Sequence, residues 1–112
     1  MARPTSSFGA GVSELLVLRL LSHREMYGYE LAKAVKLATG KAISVGEGVL
    51  YPLLHVLEAR GLVRSRQQAV GGRTRIYYTT TAKGRGRLHK IAADWRRVSD
   101  AINTALEGIP HA

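Results

Sequence analysis

The sequence predicts a mainly α-helical fold with a small β-hairpin and a long C-terminal helix. Apolar residues recur at spacings of three and four as far as Gly61, which is typical of helices with one buried face. Two β-branched runs then flank Gly71-Gly72, and a Gly-Gly pair supplies the positive φ angles of a tight hairpin. From Ala82 to about Glu107 the apolar residues repeat every seven positions, which predicts one long helix with a coiled-coil seam.

The first predicted helix, Val12–Leu21, is apolar on almost every side, so it should be buried centrally or at an interface. Ser13 is a candidate N-cap for it. Residues 1–8 contain an arginine, a proline and three hydroxyl residues, and we expect a flexible N-terminal arm there. Such an arm either enters a DNA minor groove or has no role.

The second predicted helix is MYGYELAKAVKLATG, which places Tyr27, Leu31 and Val35 on one face and ends at Gly40. A short connector, Lys41–Val45, joins it to the third helix. Two helices with so short a link are the minimum for a helix-turn-helix, although a generic three-helix bundle has the same helices.

The third predicted helix lies within Ser44–Val63. Its apolar face is formed by residues three and four positions apart, with two valines at the margins: Leu50, Leu53, Leu54 and Leu57, then Val49 and Val56. Ser44 and Glu47 match a capping box, whereas Pro52 favours a start nearer Leu50. Gly61 should end the helix. A groove-reading helix and a plain core helix both fit this pattern.

The predicted hairpin places Arg73 and Arg75 at or beside its tip. Arginines at a hairpin tip are merely solvated in most proteins, but next to a groove-reading helix they can bind phosphates or the minor groove. We therefore predict a winged helix-turn-helix over residues 9–80, for which the hairpin is the wing.

The last predicted helix has Thr81 as its N-cap and carries two heptad seams. These are Leu88, Trp95 and Ile102 on one seam, and Ile91, Val98 and Ala105 on the other. So regular a heptad favours a partner chain, although the first helix offers an alternative surface. We predict a C-terminal dimerisation helix at 81–107 and a tail at 108–112. A symmetric dimer predicts a pseudo-palindromic DNA site.

Charge and composition limit the classes of partner. The 112 residues fit one domain with a formal charge of +9, and eleven of the seventeen lysines and arginines lie between Arg60 and Arg97, beside a single acid, Asp94. This favours nucleic acid, an acidic membrane surface or an acidic protein. The apolar seam is narrow for membrane binding, and no stretch reaches the roughly 20 apolar residues of a membrane span. We expect no membrane partner.

No catalytic or metal-binding constellation is recognisable. The chain lacks cysteine, and His23, His55, His89 and His111 have no spacing that would converge on a metal. Ser13 and Ser44 have no paired base nearby. We therefore expect neither an enzyme nor a cofactor, and the absence of cysteine fits a reducing cytosol.

Four segments resemble the PadR family of bacterial transcriptional regulators: GVSELLVLRLL, MYGYELAKAV, GEGVLYPLLHVLEARGLV and GGRTRIYYTTTAKGRGRL. The matches spread from about Gly9 to Leu88, and the single helix after the wing resembles the short subfamily. The resemblance implies a dimeric winged-helix repressor whose last helix packs across the two-fold axis. It also implies that Gly46–Tyr51 face DNA, and that Tyr27, Gly28 and Tyr29 begin the second helix.

The resemblance further implies a small-molecule site. Some short members bind planar aromatic compounds or drugs between two tryptophans of the last helices, and Trp95 lies at the matching place on the seam. The same residue also fits a simpler role as a bulky side chain that fills the dimer seam.

We thus predict a cytoplasmic, nucleoid-associated repressor that binds a pseudo-palindromic operator as a homodimer and is released by a planar aromatic effector. The candidate DNA-binding residues are Tyr27, Tyr29, Lys33, Ser44, Gly46, Glu47, Gly48, Tyr51, His55, Arg73, Arg75 and Lys83. The candidate dimer residues are Leu15, Leu18, Leu88, Ile91, Trp95, Val98 and Ile102, and the candidate effector residues are Trp95, Leu18 and Val98. The alternative is a winged-helix module that docks an acidic protein without binding DNA.

Overall fold

The computed structural model describes the backbone of residues 4–108 and the side chains from Gly11 to Gly108. Four helices and three short strands follow one another along the chain: α1 (Pro4–His23), β1 (Met26–Tyr27), α2 (Gly28–Ala38), α3 (Glu47–Ala59), β2 (Val63–Val70), β3 (Arg73–Thr80) and α4 (Ala82–Gly108). The strands form one antiparallel sheet in the order β1-β3-β2. The predicted fold class, mainly α with a small β-hairpin, is confirmed.

Helix α1 is longer than predicted. It begins at Pro4, so residues 4–8 are helical where the sequence predicts a flexible arm, and residues 1–3 lie outside the described part of the chain. Ser13 lies inside α1 and is buried, so it is not the N-cap. The central position expected for this helix is confirmed, because Val17 and Leu21 are fully buried in the core.

The start of the second predicted helix is a strand instead. Met26 and Tyr27 pair with Tyr78 and Tyr77 of β3, which holds them in extended backbone and delays α2 to Gly28. The backbone N–H of Tyr27 donates to the carboxylate of Glu30, at 3.3 Å, and so closes the first turn of α2.

Helix α3 starts between the two predicted places. Its N-cap is Gly46, in extended backbone, so neither the Ser44 cap nor a start at Leu50 is correct. Pro52 lies inside the helix, where its missing N–H leaves the Gly48 carbonyl without the usual partner four residues on. Val45 is the last residue of the predicted connector. It is buried in the core directly before the helix and so anchors the chain there.

The core face of α3 is narrower than predicted. Leu50, Leu54 and Leu57 are fully buried, whereas Val49 and Val56 are 54 % and 52 % exposed and lie on the outer side. The expectation that these two valines widen the core face is therefore wrong. Burial of each leucine is worth about 1.5–3 kcal/mol, which is enough to orient a helix of this length.

The predicted end of α3 at Gly61 is confirmed. Gly61 takes a φ of 75°, its N–H donates to Glu58 O at 2.9 Å, and the N–H of Leu62 donates to Leu57 O at 2.9 Å. This pair of bonds is a Schellman motif, which satisfies carbonyls that the helix leaves open and turns the chain directly into β2.

The predicted hairpin is also confirmed. Gly71 and Gly72 have φ angles of 56° and 79°, as a two-residue type I′ turn requires, and they connect paired Val70 and Arg73. The register then continues without interruption to the pair Val63 and Thr80. The hairpin therefore projects as one ribbon from the end of α3.

Helix α4 has the predicted cap and length. The backbone N–H of Gly84 donates to Thr81 Oγ1 at 3.0 Å, and the helix runs to Gly108. Its first half packs on α1, where Leu88 and Ile91 are partly buried against the core. From residue 93 to 108 nearly every residue is exposed, so the second half extends beyond the rest of the chain.

A cluster of polar contacts joins the end of α3 to the beginning of α4. Thr81 Oγ1 donates to Gly61 O at 2.6 Å, and Lys83 Nζ donates to Arg60 O at 2.9 Å. Glu14 of α1 accepts from Arg87 Nε at 3.1 Å and lies 3.6 Å from Arg60 Nη1. We call these five residues, Glu14, Arg60, Thr81, Lys83 and Arg87, the α3–α4 clasp.

Residues 4–108 contain no helix that combines the length and the hydropathy required to cross a bilayer.

Candidate nucleic-acid interface

A groove of about 290 Å³ separates α3 from the wing. Its walls come from the β1–α2 junction, from α3 and from β3: Tyr27, Gly28, Tyr51, His55, Thr74, Arg75, Ile76 and Tyr78. We call it the wing groove. It unites four candidate DNA-binding residues that lie far apart in sequence, namely Tyr27, Tyr51, His55 and Arg75. The fold therefore creates a single surface from three separate elements.

Tyr51 reaches across the wing groove because Gly28 has no side chain. A Cβ atom at Gly28 would overlap the Tyr51 hydroxyl group and lie 2.8 Å from its Cζ atom. The ring of Tyr51 on α3 thus packs directly against Gly28, the first residue of α2. This close approach fixes the position of one polar group on the outer face of α3.

Aromatic rings and cations contact one another where β1 and α2 meet β3, at the edge of the wing groove. The rings of Tyr27 and Tyr29 stack with centroids 6.5 Å apart, and Tyr77 meets Tyr27 edge-on at 5.5 Å. The Arg75 guanidinium lies 4.3 Å from the centroid of Tyr27, and Lys33 Nζ lies 5.5 Å from that of Tyr29. Such cation–π contacts hold the charged groups in defined places at the surface.

The charge on Arg75 is reinforced by its neighbours. A hydrogen bond to Tyr77 is the main cause that raises the pKa of Arg75, with smaller contributions from the charges of Tyr27, Tyr77 and Glu30, against a lesser effect of burial. A raised pKa keeps the Arg75 guanidinium protonated at neutral pH. It is thus a permanent positive group beside α3.

An ion pair that the sequence did not predict supports the wing. Arg66 of β2 donates from Nε to Glu25 Oε2 at 2.9 Å, and its guanidinium lies 5.0 Å from the Tyr77 ring centroid. The hydrogen bonds from Arg66 are the main cause that lowers the pKa of Glu25. The partners are 41 residues apart, and they are brought together because β1 and β2 both pair with β3. No local sequence pattern signals such a contact.

The beginning of α3 is open on its outer side. Glycines stand at Gly46 and Gly48, and a Cβ atom at either position would meet nothing within 4 Å. Ser44, Glu47 and His55 are exposed, and Tyr51 is 38 % exposed. The two glycines let the backbone at this helix end approach a nucleic-acid backbone closely.

Two candidate residues lie elsewhere. Arg73 is exposed next to the hairpin turn, beyond the wing groove. Lys83 belongs to the α3–α4 clasp at the far end of α3, and the 13 residues of that helix place it roughly 20 Å from Gly46. Its ammonium is bonded to a helix carbonyl, so in this structure Lys83 lies apart from the wing groove, and its place in the DNA-binding set stays a prediction.

A larger groove of about 590 Å³ lies between α1 and α4. It is lined by Leu15, Leu16, Arg19, Ser22, Arg85, Leu88, His89, Ala92, Trp95 and Arg96. Three predicted dimer residues, Leu15, Leu88 and Trp95, are among them. Val98 is exposed on α4 but does not line the groove.

Leu18 does not belong to this surface. It is 0 % exposed, and it packs inside the hydrophobic core of the same chain. Because α1 is central, the apolar side that carries Leu18 is fully covered by other residues of the same protomer. The prediction that Leu18 contacts a partner or an effector is therefore wrong.

Taken together, α2, α3 and the β2–β3 ribbon define a winged helix-turn-helix, with an open third helix beside a cation-bearing wing. The chain belongs to the PadR-like family of transcriptional regulators, whose family model matches residues 17–90. The resemblance noted from the sequence is thereby confirmed.

Relatives of similar size support the same membership. The chain is 33 % identical over 104 residues to the transcriptional regulator Rv3488 of Mycobacterium tuberculosis (strain ATCC 25618 / H37Rv), and the match covers 93 % of this chain and 92 % of that one. The crystal structure of smu.1704 from Streptococcus mutans UA159 superposes with a TM-score of 0.79 at 33 % identity and covers all of both chains. A PadR family transcriptional regulator from Eggerthella lenta DSM 2243 gives a TM-score of 0.78 at 34 % identity, covering 90 % of this chain and 87 % of that one.

Proposed function

We propose that this chain is a sequence-specific DNA-binding repressor that acts as a homodimer and is released by a planar aromatic small molecule. The observation that carries the DNA-binding part is the open outer face of α3 beside the wing groove. A major groove about 12 Å wide accepts one helix, and the N-terminal end of α3 is exposed with glycines at positions 46 and 48. Transcriptional regulation is the shared function of the family to which the chain belongs.

Positive side chains around α3 supply the phosphate contacts of this proposal. Arg75 and Lys33 flank the wing groove, and Arg73 extends the positive surface to the wing tip. Their attraction for phosphates is independent of sequence, whereas Tyr51 and His55 on α3 are placed to reach base edges. Glu47 is exposed and free of a capping role, and its carboxylate can accept from a cytosine amine.

The first test is the salt dependence of duplex binding. We expect Arg75→Ala to weaken binding to specific and random duplexes alike, and to reduce the slope of log K against log salt by about one. The physical reason is the loss of one phosphate contact and of the counterion that it releases. Fluorescence anisotropy of a labelled duplex over a range of salt concentrations measures both quantities.

The matched control is Arg64→Ala, which removes the same charge at the base of the ribbon, where Arg64 is paired with Thr79. We expect the slope for Arg64→Ala to equal that of the original protein. An unchanged slope for Arg75→Ala would remove it from the phosphate set. Salt-independent behaviour of the original protein, or no binding to any duplex, would instead favour the docking of an acidic protein.

The second half of α4 supports the homodimer. Trp95, Val98 and Ile102 are 39 %, 42 % and 52 % exposed, and they recur at the heptad spacing of a coiled-coil seam. Exposed apolar residues in that register are stabilised when a second copy of the same helix covers them. A two-fold axis through α4 then presents two α3 helices to one DNA duplex.

The effector part of the proposal is supported by the groove beside Trp95. Its arginines, Arg19, Arg85 and Arg96, disfavour a cationic ligand and favour a flat anionic one. Because Trp95 is the sole tryptophan, its fluorescence reports binding directly. We expect a planar aromatic carboxylate to quench the emission more strongly than a planar aromatic cation of equal size. If neither compound changes the emission, the proposed effector site is wrong.

A further inference from the structure

The outer face of α3 carries an apolar ridge that the protein core does not use. Val49, Pro52 and Val56 are exposed at spacings of three and four, on the side of α3 away from the buried leucines. We call these three residues the valine ridge. Together they form one apolar strip on the outer side of a short helix, which an apolar group of a partner can cover.

The chemistry of α3 limits what that partner is. The helix reads EGVLYPLLHVLEA and contains no lysine, arginine, asparagine or glutamine. These are the residue types that make bidentate hydrogen bonds to guanine and adenine in the major groove. On the ridge itself no side chain can donate or accept a hydrogen bond. Contacts made by the ridge must therefore be apolar.

We propose that the valine ridge reads thymine methyl groups, and that Val49 and Val56 determine a preference for thymine at two positions of the operator. This inference rests on the proposed DNA-binding function and specifies what α3 recognises. The C5-methyl of thymine is the one apolar group on the base edges of the major groove. Val49 and Val56 lie seven residues apart, or about 10 Å along the helix, so two thymines roughly three base pairs apart match them.

The surroundings favour DNA over a protein as the occupant. The ridge lies on the helix that borders the cation-bearing wing groove, in a chain with a formal charge of +9. A stable protein interface buries about 800 Å² on each partner, which a ridge of three residues cannot supply. A thymine methyl group is small by comparison, and a single apolar side chain of the ridge is enough to contact it.

The test compares thymine with uracil, which lacks only the methyl group. The full chain selects duplexes from a random 30-base-pair library, and each thymine of the selected duplex is then replaced by uracil in turn. We expect two positions in each half-site at which the replacement lowers affinity about fourfold, the effect of one buried methyl group. For Val49→Ala and Val56→Ala, we expect one of these two positions to become insensitive in each variant.

Leu37→Ala serves as the matched control, because it removes an exposed apolar side chain from α2 and should preserve both sensitive positions. Thermal unfolding checks that the valine variants remain folded. We expect this because the side chains of Val49 and Val56 are exposed. Specific binding that no uracil replacement affects overturns this inference but leaves the proposed function intact. The same holds if both valine variants still distinguish thymine from uracil at both positions. Failure to enrich any duplex overturns the proposed function and the inference with it. Valine variants that bind DNA normally but no longer dimerise show that the ridge contacts protein, which also overturns it.

Discussion

Replacing Gly84 by alanine should destabilise the fold by about 2–3 kcal/mol, the largest stability effect that we expect from adding one methyl group to this chain. Gly84 lies in the first turn of α4, where the helix crosses the beginning of β2. A Cβ atom there would overlap the carbonyl oxygen of Leu62 and lie 2.7 Å from Thr80 Cγ2. The obstacle is backbone, so α4 must move away from the core as a unit.

Gly86 offers a matched control two residues further along the same helix. A Cβ atom at Gly86 meets nothing within 4 Å, so Gly86→Ala should stabilise the protein by about 0.5–1 kcal/mol through helix propensity alone. Thermal unfolding measures both variants, and the Gly84 variant should melt roughly 10 °C below the original protein. Equal melting temperatures for the two variants would show that α4 does not pack on Leu62.

Replacing Ile102 by glutamate should break the proposed homodimer, the largest functional effect expected from a single surface change. In a symmetric dimer the substitution places two carboxylates on one apolar seam, where each lacks a compensating charge. We expect the dimer dissociation constant to rise about 100-fold or more, which corresponds to about 2.7 kcal/mol. Operator affinity should fall with it, because two linked α3 helices bind far better than one. Sedimentation at micromolar concentration measures the first effect and anisotropy the second.

Thr104→Glu is the control for charge and position. Thr104 is also exposed, lies two residues from Ile102 and falls outside both heptad seams. We expect this variant to remain dimeric. Both variants should keep the helical content of the original protein by circular dichroism, since Ile102 is not part of the protomer core. A monomer in the original protein, or a dimer that tolerates Ile102→Glu, would contradict the α4 dimer.

Elements that depend on local chemistry could be predicted from the sequence. Gly71-Gly72 defined the hairpin because two consecutive positive φ angles are tolerated by few other residue pairs. Gly61 and Thr81 likewise marked the end of α3 and the start of α4, since each supplies its own hydrogen bonds or backbone freedom within a few residues.

Features that depend on distant contacts were missed. The strand β1 has only two residues and is extended because β3 pairs with it, about fifty residues later. Ser44 has the right hydroxyl for a cap, but burial of Val45 fixes the chain so that Gly46 takes that place.

Charge and periodicity were ambiguous for a similar reason. The charge of Lys83 fits a phosphate contact, yet the carbonyls at the end of α3 attract a nearby cation equally well. Leu18 belongs to a helix that is apolar all round, and such a helix has no single face that separates core from interface. Periodicity also could not show that Val49 and Val56 lie outside the core.

The α3–α4 clasp has a consequence for the geometry of DNA recognition. Because the end of α3 is bonded to the start of α4, we expect the two helices to keep their relative orientation. In a homodimer joined through α4, the crossing angle of the two long helices therefore sets the distance between the two α3 helices. A small molecule that increased this crossing angle would change the distance between the two α3 helices. That distance would then no longer match the 34 Å repeat of the double helix.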